Sequence, residues 1–159
     1  MSIFTLGVYG FTEPSFRAAL EGARPDVFVD IRRRRGVRGH DYAFANSQRL
    51  QDLLAEIGIP YVHRLDLATP EAAIKAQDAA DHAAGIRRRA RDHLGEALIV
   101  AYQQEVLDQF DSREFVDALG NPESLLLFCV ERVPTACHRS LLAARLARDL
   151  GATVEDIIP

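Results

Sequence analysis

The chain has no tryptophan, one methionine and only two cysteines among 159 residues. So few thiols exclude a disulfide framework and read as reduced cysteines. No apolar run approaches the roughly 20 residues that a bilayer span needs, so no membrane association is expected. The opening Met1-Ser-Ile-Phe-Thr-Leu-Gly7 lacks a basic segment and a long apolar core, so secretion is not expected and a cytoplasmic location is. An excess of positive charge is missing too: the net charge is −4, which argues against generic affinity for nucleic acid. Repeats, linkers and low-complexity tracts are absent. What remains is a hydrophobic fraction of 48% and a charged fraction of 26%, ordinary for a globular protein, in a length that suits one domain over residues 1–159.

Strand and helix patterns alternate along the chain. Ile3 to Tyr9 is β-branched and aromatic, a first strand. Thr12-Glu13-Pro14 starts a helix with a capping hydroxyl, an early acid and a proline whose missing N–H costs little, and Gly22 is expected to stop it. Val27 to Ile31 is apolar apart from Asp30, as in a strand buried on both faces. Residues 32–46 read as a long polar loop, a length usually functional or disordered. Ser47 is expected to cap a helix with Leu50, Leu53, Leu54 and Ile57 on one face, ended by Gly58. Ile59 to Leu65 is a third strand. Thr69-Pro70-Glu71 opens Ala-rich helices interrupted near Gly85 and Gly95, and Ser112 is expected to cap a short helix through Leu119. Leu125–Val130, a helix over Cys137–Leu150 and a strand near Val154–Ile158 complete the pattern. Such alternation predicts an α/β fold of three layers, with a mostly parallel sheet of about four or five strands and helices on both faces.

The strongest chemical signal is the stretch from Cys129 to Arg139. Cys129 ends an apolar strand, Glu131 and Pro134 lie in a short loop, and Cys137-His138-Arg139 open a helix. Ligands bind at the carboxyl edge of such sheets, and a helix start favours a thiolate or an anion. Cys137 is therefore a candidate nucleophile, with Glu131, Asp30 or His138 handling protons. Cys129 reads either as a small core residue or as part of the substrate site. Asp30 and Arg32 end the second strand, either as a structural pair or with Arg32 as a bidentate clamp on an anion. Arg33, Arg34, Arg35 and Arg38, with Gly36 and Gly39, form a loop able to approach a phosphate closely. Phe44 is either a base-stacking ring or a core plug. Arg87, Arg88, Arg89 and Arg91 read as a solvated helix face. The spacing Cys-x7-Cys-His lacks the C-x2-C hook of structural zinc sites, so no metal is assigned, and the sequence names no cofactor. A Cys129–Cys137 disulfide requires Cα atoms within about 7 Å. The phosphate loop of tyrosine phosphatases is excluded, because Thr135 stands where it needs an arginine.

Asp30-Ile-Arg32, Gly58-Ile-Pro-Tyr61 and above all Cys129-Val-Glu131 with Cys137-His138-Arg139 resemble the domain of unknown function 488 family over nearly the whole chain. The resemblance implies that Asp30, Arg32, Cys129, Glu131, Cys137, His138 and Arg139 are the characteristic polar positions. The arginine run replaces the Pro and Ser-Arg found in many relatives, and Leu65-Asp66-Leu67-Ala68 replaces a Leu-Gly-Gly segment, so the substrate-facing loops are expected to differ. Together these residues predict an enzyme, a cysteine-dependent hydrolase or transferase. It would bind an anionic or nucleotide-like substrate through Arg32, Arg38, Arg139 and Cys129. The alternative is a non-catalytic module that grips nucleic acid with its arginine loop.

Overall fold

A computed structural model describes residues 1–87 and 90–159. Five parallel strands form one sheet, ordered β3-β2-β4-β1-β5: β1 Ser2–Gly7, β2 Val27–Asp30, β3 Tyr61–His63, β4 Ser124–Cys129 and β5 Thr153–Ile157. Helices α1 (Glu13–Ala23) and α2 (Ser47–Glu56) follow β1 and β2; α3 (Glu71–Ala83), α4 (Glu96–Glu105) and α5 (Ser112–Ala118) lead into β4; α6 (His138–Leu150) leads into β5. The three-layer α/β expectation is met. Among the described residues no helix is long and apolar enough to cross a membrane.

Strand alternation sorts the core into two halves. Phe28, Leu126 and Phe128 point to one face and meet Phe16 and Leu20 of α1 and Leu50, Leu53 and Leu54 of α2. Val27, Val29, Ile31, Leu125, Leu127 and Cys129 point to the other and meet Tyr102 of α4, Phe115 of α5 and Leu142 and Leu146 of α6. Phe128 and Phe28 lie 4.9 Å apart at the ring centroids, and truncating a ring so buried costs about 3–5 kcal/mol. The insertion of β4 between β2 and β1 matters for the site. The loops after β1 and β2 run to one face and the loop after β4 to the other, which opens a crevice at the carboxyl edge beside β4.

Local signals differ from expectation at several places. Helix α1 runs past Gly22 and ends at Arg24, which adopts a left-handed φ of 43° and donates its N–H to Leu20 O. Asn46 rather than Ser47 stands at the start of α2, and its Oδ1 instead accepts from Val37 N at 2.7 Å, fastening the arginine loop. Asp111 rather than Ser112 caps α5, since a carboxylate accepts from both Arg113 N and Glu114 N. The long loop contains a 3-10 turn over His40–Ala45, which drives Phe44 into the core as a plug. Arg91 is not on a solvated helix face. It is buried against Asp81 and Asp78 of α3. Arg88 and Arg89 lie outside the described residues.

Candidate functional site

A cleft of about 570 Å³ opens at the carboxyl edge of the sheet. That size accommodates a small-molecule ligand. Arg32, Arg33, Arg34 and Arg38 line it from the loop after β2, Cys129, Glu131, Cys137 and His138 from the loop after β4, and Ile74, Lys75 and Asp78 from α3. The chain segments near 30 and 130 thus share one rim. Asp30 and Arg139 stand behind the rim and do not line it.

Asp30 and Arg32 form a closed unit. Asp30 is fully buried, and its Oδ1 accepts from Arg32 Nε at 2.9 Å and from Arg32 N at 3.0 Å. Its Oδ2 accepts from Arg32 Nη2 at 2.7 Å and from the Tyr61 hydroxyl at 2.8 Å. Arg32 Nη1 donates to Ala45 O at 2.8 Å, and the guanidinium lies 4.6 Å from the centre of the Phe128 ring. Both faces of its fork are thereby engaged within the protein. The pair ties the end of β2 to the end of the long loop. Burial pushes the Tyr61 phenol up, which keeps it a donor to Asp30.

Arg139 does comparable work on the other side of the cleft. It is fully buried, and it donates to Thr5 Oγ1 at 3.2 Å, Glu131 O at 2.5 Å and Arg132 O at 3.1 Å. The cation therefore holds the loop after β4 by its carbonyls. That loop crosses β1 closely: a Cβ on Gly7 would lie 1.7 Å from Glu131 O, so only glycine fits there.

The thiols lie between these two anchors. Because side chains alternate along β4, Cys129 faces α6, and Cys137 is the residue at the start of that helix. His138 Nδ1 is 3.9 Å from Cys129 Sγ and 3.9 Å from Cys137 Sγ. His138 Nε2 is 3.2 Å from Ile31 O. A carbonyl only accepts, so Nε2 carries the proton and Nδ1 faces the sulfurs. Neutral His138 then offers a lone pair to either thiol, and protonated His138 offers an N–H to a thiolate. The Tyr102 ring backs the imidazole at 5.3 Å, and its hydroxyl donates to Leu67 O at 2.8 Å.

Electrostatics divide the two sulfurs. Burial alone raises the Cys137 thiol, but a hydrogen bond from Cys129, the charge and hydrogen bond of His138 and the charge of Arg139 outweigh it. They hold Cys137 well below the usual thiol range. Cys129 moves the other way: its hydrogen bond to Cys137, followed by burial, keeps it protonated. The two shifts run in opposite directions, and both favour a negative charge on Cys137, at the positive end of α6, over one on Cys129.

Cys129, Cys137 and His138 offer donor atoms within 4.8 Å of one another, a chemistry compatible with a soft metal ion, and His40 is not part of that group. At the mouth, Arg33 Nε donates to Thr69 O at 2.8 Å, while Arg33, Arg34 and Arg38 are exposed. Lys75 pairs with Glu71 at 3.4 Å, and Asp78 with Arg91 at 3.3 Å. Sequence reasoning missed the α3 wall. Its signal was a helical spacing of Ile74, Lys75 and Asp78, which a sequence cannot aim at a particular cleft.

Fold and site together define a parallel three-layer α/β protein with a buried thiol–imidazole cluster at a cationic edge cleft. The chain belongs to the family described as domain of unknown function DUF488, whose model matches residues 14–146. No curated protein and no solved structure matches the chain.

Proposed function

We propose that this protein is a thiol-dependent enzyme, a hydrolase or transferase, in which Cys137 attacks an electrophilic centre of an anionic, nucleotide-like substrate. The observation that carries the reading is the contact of Cys137 Sγ with His138 Nδ1 on the wall of a cleft whose mouth presents Arg33, Arg34 and Arg38. An adjacent imidazole and a helix start are the two common means of activating a thiol. In this reading Cys137 is the nucleophile and His138 holds or returns the proton. The Ile31 carbonyl fixes the imidazole's tautomer, and Cys129 donates to the thiolate. Glu131, buried on the same wall, serves the leaving group. Arg33, Arg34 and Arg38 attract the anion. Asp30, Arg32 and Arg139 are positioning residues that set the two rims.

Alkylation tests this without a known substrate. Cys137 is expected to react at pH 6 far faster than a free thiol. Anionic iodoacetate should gain on neutral iodoacetamide relative to their ratio with free cysteine. Adenosine monophosphate should protect the thiol. A Cys137 no more reactive than free cysteine at that pH ends the proposal.

Three exposed arginines on one loop also favour a second reading, a nucleic-acid-binding module. It requires retention on RNA or DNA that weakens with salt, by about 0.7–0.9 log units per phosphate contact for each tenfold rise. No retention at low salt removes it.

A further inference from the structure

We propose that Cys137 is also a site of reversible oxidation by hydroperoxides, with Cys129 as the resolving thiol. The inference rests on the thiolate reading and adds a regulation of the same site. Three observations point to it. The only two cysteines of the chain stand at the same sheet edge, with both sulfurs and His138 Nδ1 within 4.8 Å of one another. Both thiols are lining residues of the cleft, Cys129 5% and Cys137 2% exposed, so the cleft rather than the core is the side from which a peroxide reaches Cys137. A single imidazole nitrogen stands 3.9 Å from each sulfur, and one proton carrier can therefore serve both halves of the exchange.

The chemistry balances with a hydroperoxide as the only co-reactant. The Cys137 thiolate attacks a peroxide oxygen, the S–O bond forms as the O–O bond breaks, and the departing hydroxide takes the proton of His138 as water. Neutral His138 then accepts the Cys129 proton. The Cys129 sulfur attacks Cys137 Sγ, the S–S bond forms, and the S–O bond breaks, releasing hydroxide that His138 protonates. Each sulfur gives up one electron, and the peroxide oxygens take both. Cys137 sits at the start of α6 rather than in the strand ladder, so its side chain is free of the pairing that fixes β4. Closing the bond brings the sulfurs to about 2.05 Å with the Cα atoms within about 7 Å. The loop so closed spans Cys129 to Cys137, and a crosslink across so few residues restrains the unfolded chain little, which favours easy reduction.

The test treats the reduced full-length protein with equimolar hydrogen peroxide, then iodoacetamide, and reads intact mass. The expected product has lost two hydrogens, resists alkylation at both cysteines, and regains both thiols with dithiothreitol. In Cys129→Ala, shown folded by circular dichroism, Cys137 should instead be trapped by dimedone as the sulfenic acid, and a second equivalent of peroxide should carry it on to the sulfinic acid. Wild-type protein that accumulates sulfenic or sulfinic Cys137 while Cys129 stays alkylatable overturns the inference. So does a pair left fully reduced. Rapid alkylation of reduced Cys137 without disulfide formation removes this inference and leaves the thiolate reading intact. A sluggish reduced Cys137 removes the thiolate reading itself.

Discussion

Asp30 with Arg32 and Cys129 with Cys137 and His138 occupy adjacent rungs of the same sheet edge, yet they do opposite things with burial. Asp30 pairs in register with Phe128, one residue before Cys129, so the two groups fall on opposite faces of the sheet. On the α1–α2 face a full negative and a full positive charge are buried together, and the hydrogen bonds between them are complete. On the α6 face two thiols share one imidazole, and Arg139 supplies a buried positive charge bound to carbonyls and a hydroxyl rather than to a carboxylate. The ion pair spends most of its hydrogen-bonding capacity inside the protein. Among the described residues Arg139 meets no carboxylate, so its charge favours an anionic form of the sulfur pair beside it. On the proposed function, two clusters of ionisable groups a residue apart thus separate into a clamp and a reactive centre.

Substitutions should pull the two regions apart. The largest expected effect is on stability, at Asp30→Ala. It leaves the Arg32 guanidinium buried without its carboxylate, a loss of about 3–5 kcal/mol measurable by urea denaturation. Cys137→Ala should leave stability within about 1.5 kcal/mol while abolishing the fast alkylation. A loss of stability as large as that of Asp30→Ala would erase the contrast between clamp and reactive centre. His138→Asn should slow Cys137 alkylation at pH 6 by about tenfold or more, with little change at pH 10, where any thiol ionises. Gly7→Ala tests the loop that joins the two: the new methyl meets Glu131 O, and overpacking of this kind costs about 1–3 kcal/mol.

The smallest effect is in the pH dependence of stability. The folded-state pKa of Cys137 lies below its unfolded value, so its thiolate adds stability that is complete above the ordinary thiol range. That increment is lost as pH falls through the folded value. Cys129, held up in the folded state, contributes in the reverse sense: its share is present below the ordinary thiol range and fades as pH rises. Melting curves of wild type and Cys137→Ala should therefore draw closer as the solution is acidified. Curves that stay parallel would show that Cys137 carries no depressed titration.

Much of this was legible along the chain. The run Leu125–Cys129 and the charge inside Val27–Ile31 mark buried parallel strands, and Cys137-His138-Arg139 marks a helix start at the sheet edge. The misreadings came where side chains compete for one backbone position. Asp111 displaced Ser112 at a helix start because its carboxylate accepts two N–H groups, whereas Asn46 precedes α2 with its side chain spent on Val37 of the arginine loop. Arg91 looked solvated because nothing in its neighbourhood announces Asp81, which α3 brings to it.

Strand and helix content, and the nearness of the thiols to a helix start, follow from the sequence by itself, because alternation and capping are local properties of the backbone. Which arginine faces the cleft and which is consumed inside was decided by tertiary structure alone. Arg32, Arg34 and Arg139 are chemically identical side chains. Only the packed fold delivers Asp30 to the first and the carbonyls of Glu131 and Arg132 to the third, while leaving the second exposed at the cleft. The pairing of Cys137 with Cys129 is of the same kind. It depends on a strand and a helix meeting at one imidazole, whose direction is set by a carbonyl more than a hundred residues away.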